Sequence, residues 1–202
     1  MSDQTEMLGG RLPLLDPQAL SAAQKEVYDR INTTMVPWAD NAHFQSKTDG
    51  GKLIGPFNPV LFSPGITSRF LDLQDAEAKH STLSERVRQV VILAVGSVWK
   101  SSYELYAHSA VARKAGISEE AIRTLTAGGL PDDLSDQEKI AQRYTRQLSA
   151  EHRVDADLYR AAEETFGKQG LVDLAYLAGI YHIICVVLNG FEIPAPEPQV
   201  ET

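Results

Sequence analysis

Apolar residues recur along this chain at helical spacing. After Ser84, the positions Val87, Val90, Val91, Ala94, Val95 and Val98 repeat every three or four residues, the pattern of a helix buried on most sides. A second helix is predicted from Ser102 to Ala115, stopped by Gly116. Ser118-Glu119-Glu120 opens a short third helix with acids in its first turn, where the dipole favours them, and Gly128-Gly129 closes it. Ser135 to Glu138 has capping-box spacing and starts a fourth helix. Asp155 starts a fifth that ends near Gly167, and an apolar helix follows from Gln169 to Asn189. Its stretch Leu171 to Leu188 is about long enough to cross a membrane. It carries Asp173 and His182 and lacks basic flanks, so it reads as a buried core helix, apolar on nearly all sides. No stretch alternates with period two. The predicted fold class is all-α, a compact helical bundle with an N-terminal helical extension.

The first fifty-eight residues look different. The first sixteen residues read as a loose arm, and Asp16-Pro17 reads as an N-cap with proline at the first helical position, predicting a helix through Asn32. Met35 to Pro59 holds three prolines and three glycines without helical period and reads as a long loop of the kind that is often functional. Pro64-Gly65 breaks the next segment, and Ile66 to Lys79 reads as helix. The predicted organisation is an arm, helix and loop over 1–58, a helical domain over 59–193, and a disordered tail over 194–202.

Composition narrows the function. The 202 residues are 43% hydrophobic and 23% charged, enough for a sizeable core. The formal net charge of -8 argues against nucleic-acid or anionic-membrane partners, which need a basic patch. The one cysteine, Cys185, forbids an intramolecular disulfide or a two-thiol centre within one subunit and reads as an inert core thiol. No basic segment followed by an apolar run opens the chain, so the expected location is cytoplasmic.

The candidate chemistry sits on the second helix of the core. On a helical wheel Ser102, Ser109 and Arg113 share one side, while Glu104, His108, Val111 and Ala115 share the opposite one. A Glu–His pair at i, i+4 is common on solvated helix faces, where it contributes a few tenths of a kcal/mol. At the edge of a core the same pair is an acid/base unit, the carboxylate orienting the ring and raising its pKa. The expectation is that Glu104 is ionised and His108 titrates near neutrality. Tyr103 and Tyr106 flank the pair, and Arg86 and Arg88 open the preceding helix, placed to hold a carboxylate in bidentate fashion. His182 interrupts the most apolar helix, while His80 and His152 read as loop or surface residues. No HExxH and no glycine-rich phosphate loop occurs, so neither a metal nor a nucleotide cofactor is expected.

The segment Leu83 to Leu125 resembles the core helical hairpin of the carboxymuconolactone decarboxylase / alkylhydroperoxidase D superfamily. It has a basic-polar start, a hydrophobic helix, a histidine on the next helix, and the turn Ala115-Gly116-Ile117-Ser118-Glu119-Glu120. The resemblance runs from about Pro59 to Pro194 and implies an alkylhydroperoxidase D-like helical fold. The peroxidase branch carries Glu, eleven residues, Cys, two residues, Cys, three residues, His. Counted back from His108, those positions hold Gln89, Ser101 and Glu104. A serine hydroxyl neither ionises near neutral pH nor forms a mixed disulfide, so thiol peroxidase chemistry is disfavoured.

What remains is similar to the decarboxylase side. The resemblance implies a cofactor-independent carboxy-lyase, a decarboxylase acting on a small carboxylated or lactone ring compound from aromatic catabolism, which needs a proton donor to the carbanion that forms. His108 would be the proton donor and Glu104 its orienter, with Gln89, Ser101, Tyr103, Arg88 and His182 as supporting residues. Two alternatives stand beside it: an alkylhydroperoxidase-like antioxidant protein, and a non-catalytic helical scaffold or ligand-binding oligomer. A competent pocket would show Glu104 and His108 facing an internal cavity. The apolar helices also predict a homo-oligomer, a trimer or a multiple of it by resemblance.

Overall fold

The central element is helix α3, Glu85–Trp99, and the rest of the chain is arranged to cover it. The structure is a computed structural model that describes residues 6–196. In chain order the helices are α1 (Ala22–Ala42), α2 (Pro64–His80), α3, α4 (Ser102–Lys114), α5 (Glu119–Thr126), α6 (Asp136–Glu151) and α7 (Ala156–Gly190). Among the described residues the lone β feature is an isolated antiparallel bridge, Lys47 to Leu53. The all-α expectation holds.

Local chemistry starts these helices where the sequence indicates. Ser84 and Ser118 each accept a backbone N–H in the first turn of α3 and α5, and Ser135 with Glu138 completes a capping box on α6. Each such cap contributes about 1 kcal/mol. Glu138 is used twice, because it also takes Arg86 at 2.6 Å and so ties α6 to the start of α3. Gly167, with non-helical backbone, divides α7 into arms 156–166 and 168–190.

From Val87 to Gly96 nearly every residue of α3 is buried. One face (Val87, Val91, Ile92, Val95) packs with α6 and the second arm of α7. Another (Val90, Leu93) packs with Ala112 of α4, Leu125 of α5 and Ile117 in the turn between them. The third apolar cluster joins α1, the 44–61 segment, α4 and Ile180 to Ile193. At Gly96 a Cβ would lie 3.0 Å from Leu105 and 3.4 Å from Glu104, so the absent side chain lets α4 come close and seats Glu104 against α3.

The N-terminal region departs from expectation in three places. The arm is anchored: Leu14 is buried, Arg11 N donates to Phe191 O at 2.8 Å, and Asn58 bonds Pro13 O and Leu15 N. Asp16-Pro17 forms a turn, and the helix begins at Ala22 under a Ser21–Gln24 capping box. That helix continues through Pro37 to Ala42, inside the stretch read as loop. Proline there removes one backbone bond, but Val36, Ala39 and Ala42 are buried against the core, and packing overrides the local signal. Pro64 occupies the first turn of α2, where its missing N–H is harmless, so Pro64-Gly65 starts a helix instead of breaking one. The second arm of α7 is also less buried than expected. Only 44% of its most apolar window is inside, and Val172, Tyr176, Ile183 and Val186 point outward. The expected tail falls partly at 197–202, outside the described residues.

Gly55 is the tightest backbone approach next to the site. Its φ is +62°, and a Cβ there would sit 2.1 Å from the Tyr103 ring. Strain and overpacking together should make Gly55→Ala unstable by roughly 3 kcal/mol, a fall in Tm of roughly 10 °C by calorimetry. Gly65→Ala, with nothing within 4 Å, should change stability by about 1 kcal/mol or less.

Candidate functional site

Helix α4 presents Glu104 and His108 inward, one turn apart, with relative side-chain exposures of 3% and 6%. His108 Nε2 lies 3.3 Å from Glu104 Oε1. The approach is off the hydrogen-bonding direction, and among the described residues Glu104 Oε1 has no hydrogen-bond partner. From α3, Gln89 Oε1 sits 2.8 Å from His108 Nδ1, and Gln89 Nε2 donates to Glu85 Oε1 at 2.7 Å. Because Glu85 can only accept, the Gln89 amide oxygen must face the imidazole, and His108 Nδ1 carries the proton. Nε2 is left with its lone pair toward Glu104.

Burial sets the charge state. It pushes the Glu104 carboxyl up to about 8. It pushes the His108 imidazole down to about 3, the Arg88 guanidinium adding to the fall. At neutral pH the pair is a carboxylic acid beside a neutral imidazole. This corrects the expected carboxylate and near-neutral histidine, since desolvation of both groups outweighs the attraction between them.

The pair faces a cavity of about 820 Å³, which is also lined by Gln89, Tyr103 and Arg88. Trp38 of α1, Phe44, Phe57, Phe70 of α2 and Ile184 of α7 make its walls apolar. The Tyr181 ring meets the His108 ring edge-on, with centroids 4.9 Å apart at 89°, and Trp38 lies 5.9 Å from His108. Tyr181, Trp38 and Glu77 were not singled out in the sequence. Tyr181 was masked by its neighbour His182, Trp38 by a segment read as loop, and Glu77 by its distance along the chain from its partner.

The other candidates divide. Tyr103 is buried, and its hydroxyl donates to Gln45 O at 2.7 Å, so it is a wall residue already engaged. Tyr106 hydroxyl accepts from Gln45 N at 2.9 Å. Arg88 reaches the cavity, but both of its terminal nitrogens already hold the Glu77 carboxylate. Arg86 serves Glu138 and Gly116 O. His182 is not a cavity residue. Its Nδ1 accepts from Trp99 Nε1 at 2.7 Å and its Nε2 lies 2.9 Å from Ser149 Oγ, a bonded packing role between α3, α6 and α7. Ser101 Oγ is buried beside Cys185, whose thiol burial pushes far up, Glu104 adding and Ser101 opposing. A thiol so held is a poor nucleophile. His80 ends α2 and His152 caps α6, both exposed. Among the described residues no three metal-ligating side chains converge.

Residues 64–147 match the sequence model of the Carboxymuconolactone decarboxylase family. A comparison with curated proteins finds no relative. Several solved structures share the fold. One is an alkylhydroperoxidase AhpD core, an uncharacterized peroxidase-related protein from Ralstonia eutropha JMP134, with TM-score 0.74 and 17% identity over 93% of this chain and 92% of that one. An uncharacterized peroxidase-related protein from Silicibacter sp. TM1040 gives 0.71 and 14% over 94% and 93%. The debrominase Bmp8 in complex with 2,3,4-tribromopyrrole gives 0.63 and 11% over 83% and 89%. These three likenesses are likenesses of fold.

The charge state has a thermodynamic signature. Folded, Glu104 keeps its proton to about pH 8, whereas unfolded it loses it near 4.5. Between those values the unfolded chain binds fewer protons, so this group makes stability fall as pH rises. Glu104→Gln removes the effect. The variant's stability relative to wild type should climb across that window, by up to about 1.4 kcal/mol per pH unit, in urea unfolding at fixed pH. A flat difference would mean that Glu104 is ionised in the fold.

Proposed function

We propose, for a chain that belongs to the carboxymuconolactone decarboxylase / alkylhydroperoxidase D-like superfamily and lacks the paired cysteines, a cofactor-independent acid–base enzyme of lyase type acting on a small ring lactone or ketone. The observation that carries it is the buried, neutral Glu104–His108 pair aimed into an apolar cavity, with Gln89 fixing the imidazole tautomer.

The pair is equipped for a concerted proton exchange. His108 Nε2 takes a proton from carbon next to a carbonyl, and Glu104 gives its carboxyl proton to the carbonyl oxygen, which yields an enol, an imidazolium and a carboxylate. When the enol collapses with departure of a β-substituent, Glu104 recovers the enol proton and His108 gives its proton to the leaving group, and the outcome is elimination. When His108 returns its proton to another ring carbon and Glu104 recovers its own from the enol oxygen, the outcome is isomerisation. Edge contact with Tyr181 and the apolar walls exclude water from the intermediate. A fold neighbour complexed with a small halogenated ring is in keeping with a cavity of this kind. Thiol peroxidase activity has weak support, because Ser101 and Glu104 stand at the two thiol positions and Cys185 is buried with a raised pKa.

Self-association is part of the same proposal. Val172, Tyr176, Ile183 and Val186 form one outward stripe of α7, each about half exposed, and such a stripe is suited to a second copy of the chain. Light scattering should report an oligomer at micromolar concentration, and Ile183→Glu should shift it toward monomer. A wild-type monomer would remove this part of the proposal.

For catalysis, lactones and ketones that turn over in a ring-compound screen supply the assay. Glu104→Gln and His108→Ala should each lower kcat by roughly 10²–10⁴-fold, and the double variant should lose little more, because the two groups act as one unit. Wild-type rates in both single variants would make the pair structural.

A further inference from the structure

The charged groups around the cavity are arranged against an anionic ligand. Among the described residues that line it, Asp75, Glu77, Glu85 and the protonated Glu104 face a single guanidinium, Arg88. Asp75 is held by Arg30 at 2.6 Å. Arg88 is already paired. Its Nη2 is 2.7 Å from Glu77 Oε2, its Nη1 bonds Glu77 Oε1, and its Nε lies 3.8 Å from Glu85 Oε2. The two side chains are only 15% and 6% exposed. Glu77 comes from the end of α2 and Arg88 from the start of α3, so the pair closes one end of the cavity across the 81–84 turn. Glu77 thus occupies the end-on bidentate edge of Arg88, and the Glu85 carboxylate stands beside the Nε edge, so each edge on which a ligand carboxylate could dock already faces an acid.

We propose that Glu77 is a charge filter: by holding Arg88 it makes the cavity accept uncharged apolar rings and reject carboxylated ones, and removing its charge turns Arg88 into a carboxylate-binding residue. This rests on the cavity being the substrate site, and it selects the lactone or ketone over the carboxylated ring among the expected substrates. A carboxylate entering the wild-type cavity would lose its hydration without gaining a free cation. To take Arg88 it would have to displace a tethered competitor present at high effective concentration.

The test is binding, which requires no turnover and so separates this proposal from the acid–base one. Phthalide, an uncharged ring lactone, and benzoate, an anion of similar size, are titrated at neutral pH. Quenching of Trp38 and calorimetry report occupancy. Wild type should bind phthalide, with benzoate at least about tenfold weaker. Glu77→Gln should tighten benzoate about tenfold or more and leave phthalide nearly unchanged. Asp75→Asn, which removes a carboxylate from the same wall but not from Arg88, should leave the ratio as in wild type. In the double variant Glu77→Gln/Arg88→Gln the gained benzoate affinity should disappear. Equal wild-type affinities, no phthalide binding, or an unchanged ratio in Glu77→Gln would each overturn the filter. The wild-type ratio decides the first two without any variant, should Glu77→Gln fold poorly. Lost turnover in Glu104→Gln with an intact binding ratio bears on the catalytic reading alone.

Discussion

Burying Glu104 and His108 at the contact of α3 and α4 is tolerable because both groups can be neutral at once. An isolated carboxylate or imidazolium in such a place would cost several kcal/mol. The uncharged pair avoids that, and Gln89 and Glu85 extend it into a chain of polar contacts that reaches the start of α3. The same burial keeps the imidazole lone pair free and the carboxyl protonated. Stability and chemistry therefore rest on one constraint, the exclusion of water from the α3–α4 seam. Gly96 draws Glu104 into that seam and Tyr181 covers the histidine. Gly55 lets the backbone lie against Tyr103, which in turn bonds Gln45 O.

Much of the helical framework was legible because its signals are local. Ser84, Ser118 and Ser135 cap the helices that follow them, and Gly116 and Gly167 end or break helices within a residue or two of the expected place. The failures are tertiary. Residues 35–42 contain Pro37 and read as the start of a loop, yet Val36, Ala39 and Ala42 recur at three-residue spacing and their burial holds the segment helical. Of the site, the i, i+4 spacing placed Glu104 beside His108, and counting back from the histidine reached Gln89. The charge state of the pair was not legible, because it depends on how much protein surrounds both groups. The Glu77–Arg88 pair lies eleven residues apart on two helices and obeys no helical spacing rule. His182 drew attention as a polar residue in an apolar helix, and its two bonds, to Trp99 and Ser149, are the ordinary way such a residue is satisfied.

The three departures from the peroxidase pattern act in one direction. Ser101 and Glu104 in place of thiols remove disulfide exchange. Gln89 in place of a carboxylate gives His108 Nδ1 a neutral partner, and a neutral partner does less to stabilise an imidazolium than a carboxylate would. Glu104, one turn from the histidine and deprived of water, becomes an acid that holds its proton at neutral pH. Together they leave a site without paired thiols, in which the carboxyl and the imidazole are both uncharged at neutral pH.

The site also divides by origin along the chain. Residues 64–147, the segment that matches the family model, contain Glu77, Arg88, Gln89, Glu104 and His108, the groups that carry charge or a proton. Trp38, Phe44 and Phe57 come from before that segment, and Tyr181 and Ile184 from after it; these supply much of the apolar wall. This part of the wall belongs to α1, to the 44–61 segment and to the second arm of α7, with the arm bonded to Asn58 and Phe191 beside it, and Phe70 of α2 and Tyr103 of α4 complete the wall from within the segment. Changes in the N-terminal region or in α7 can therefore reshape the space above the proton pair without touching the chain of contacts beneath it. The ionisable groups of the cavity thus come largely from the segment that matches the family model, while the wall that shapes the space is drawn from that segment and from both flanking parts of the sequence.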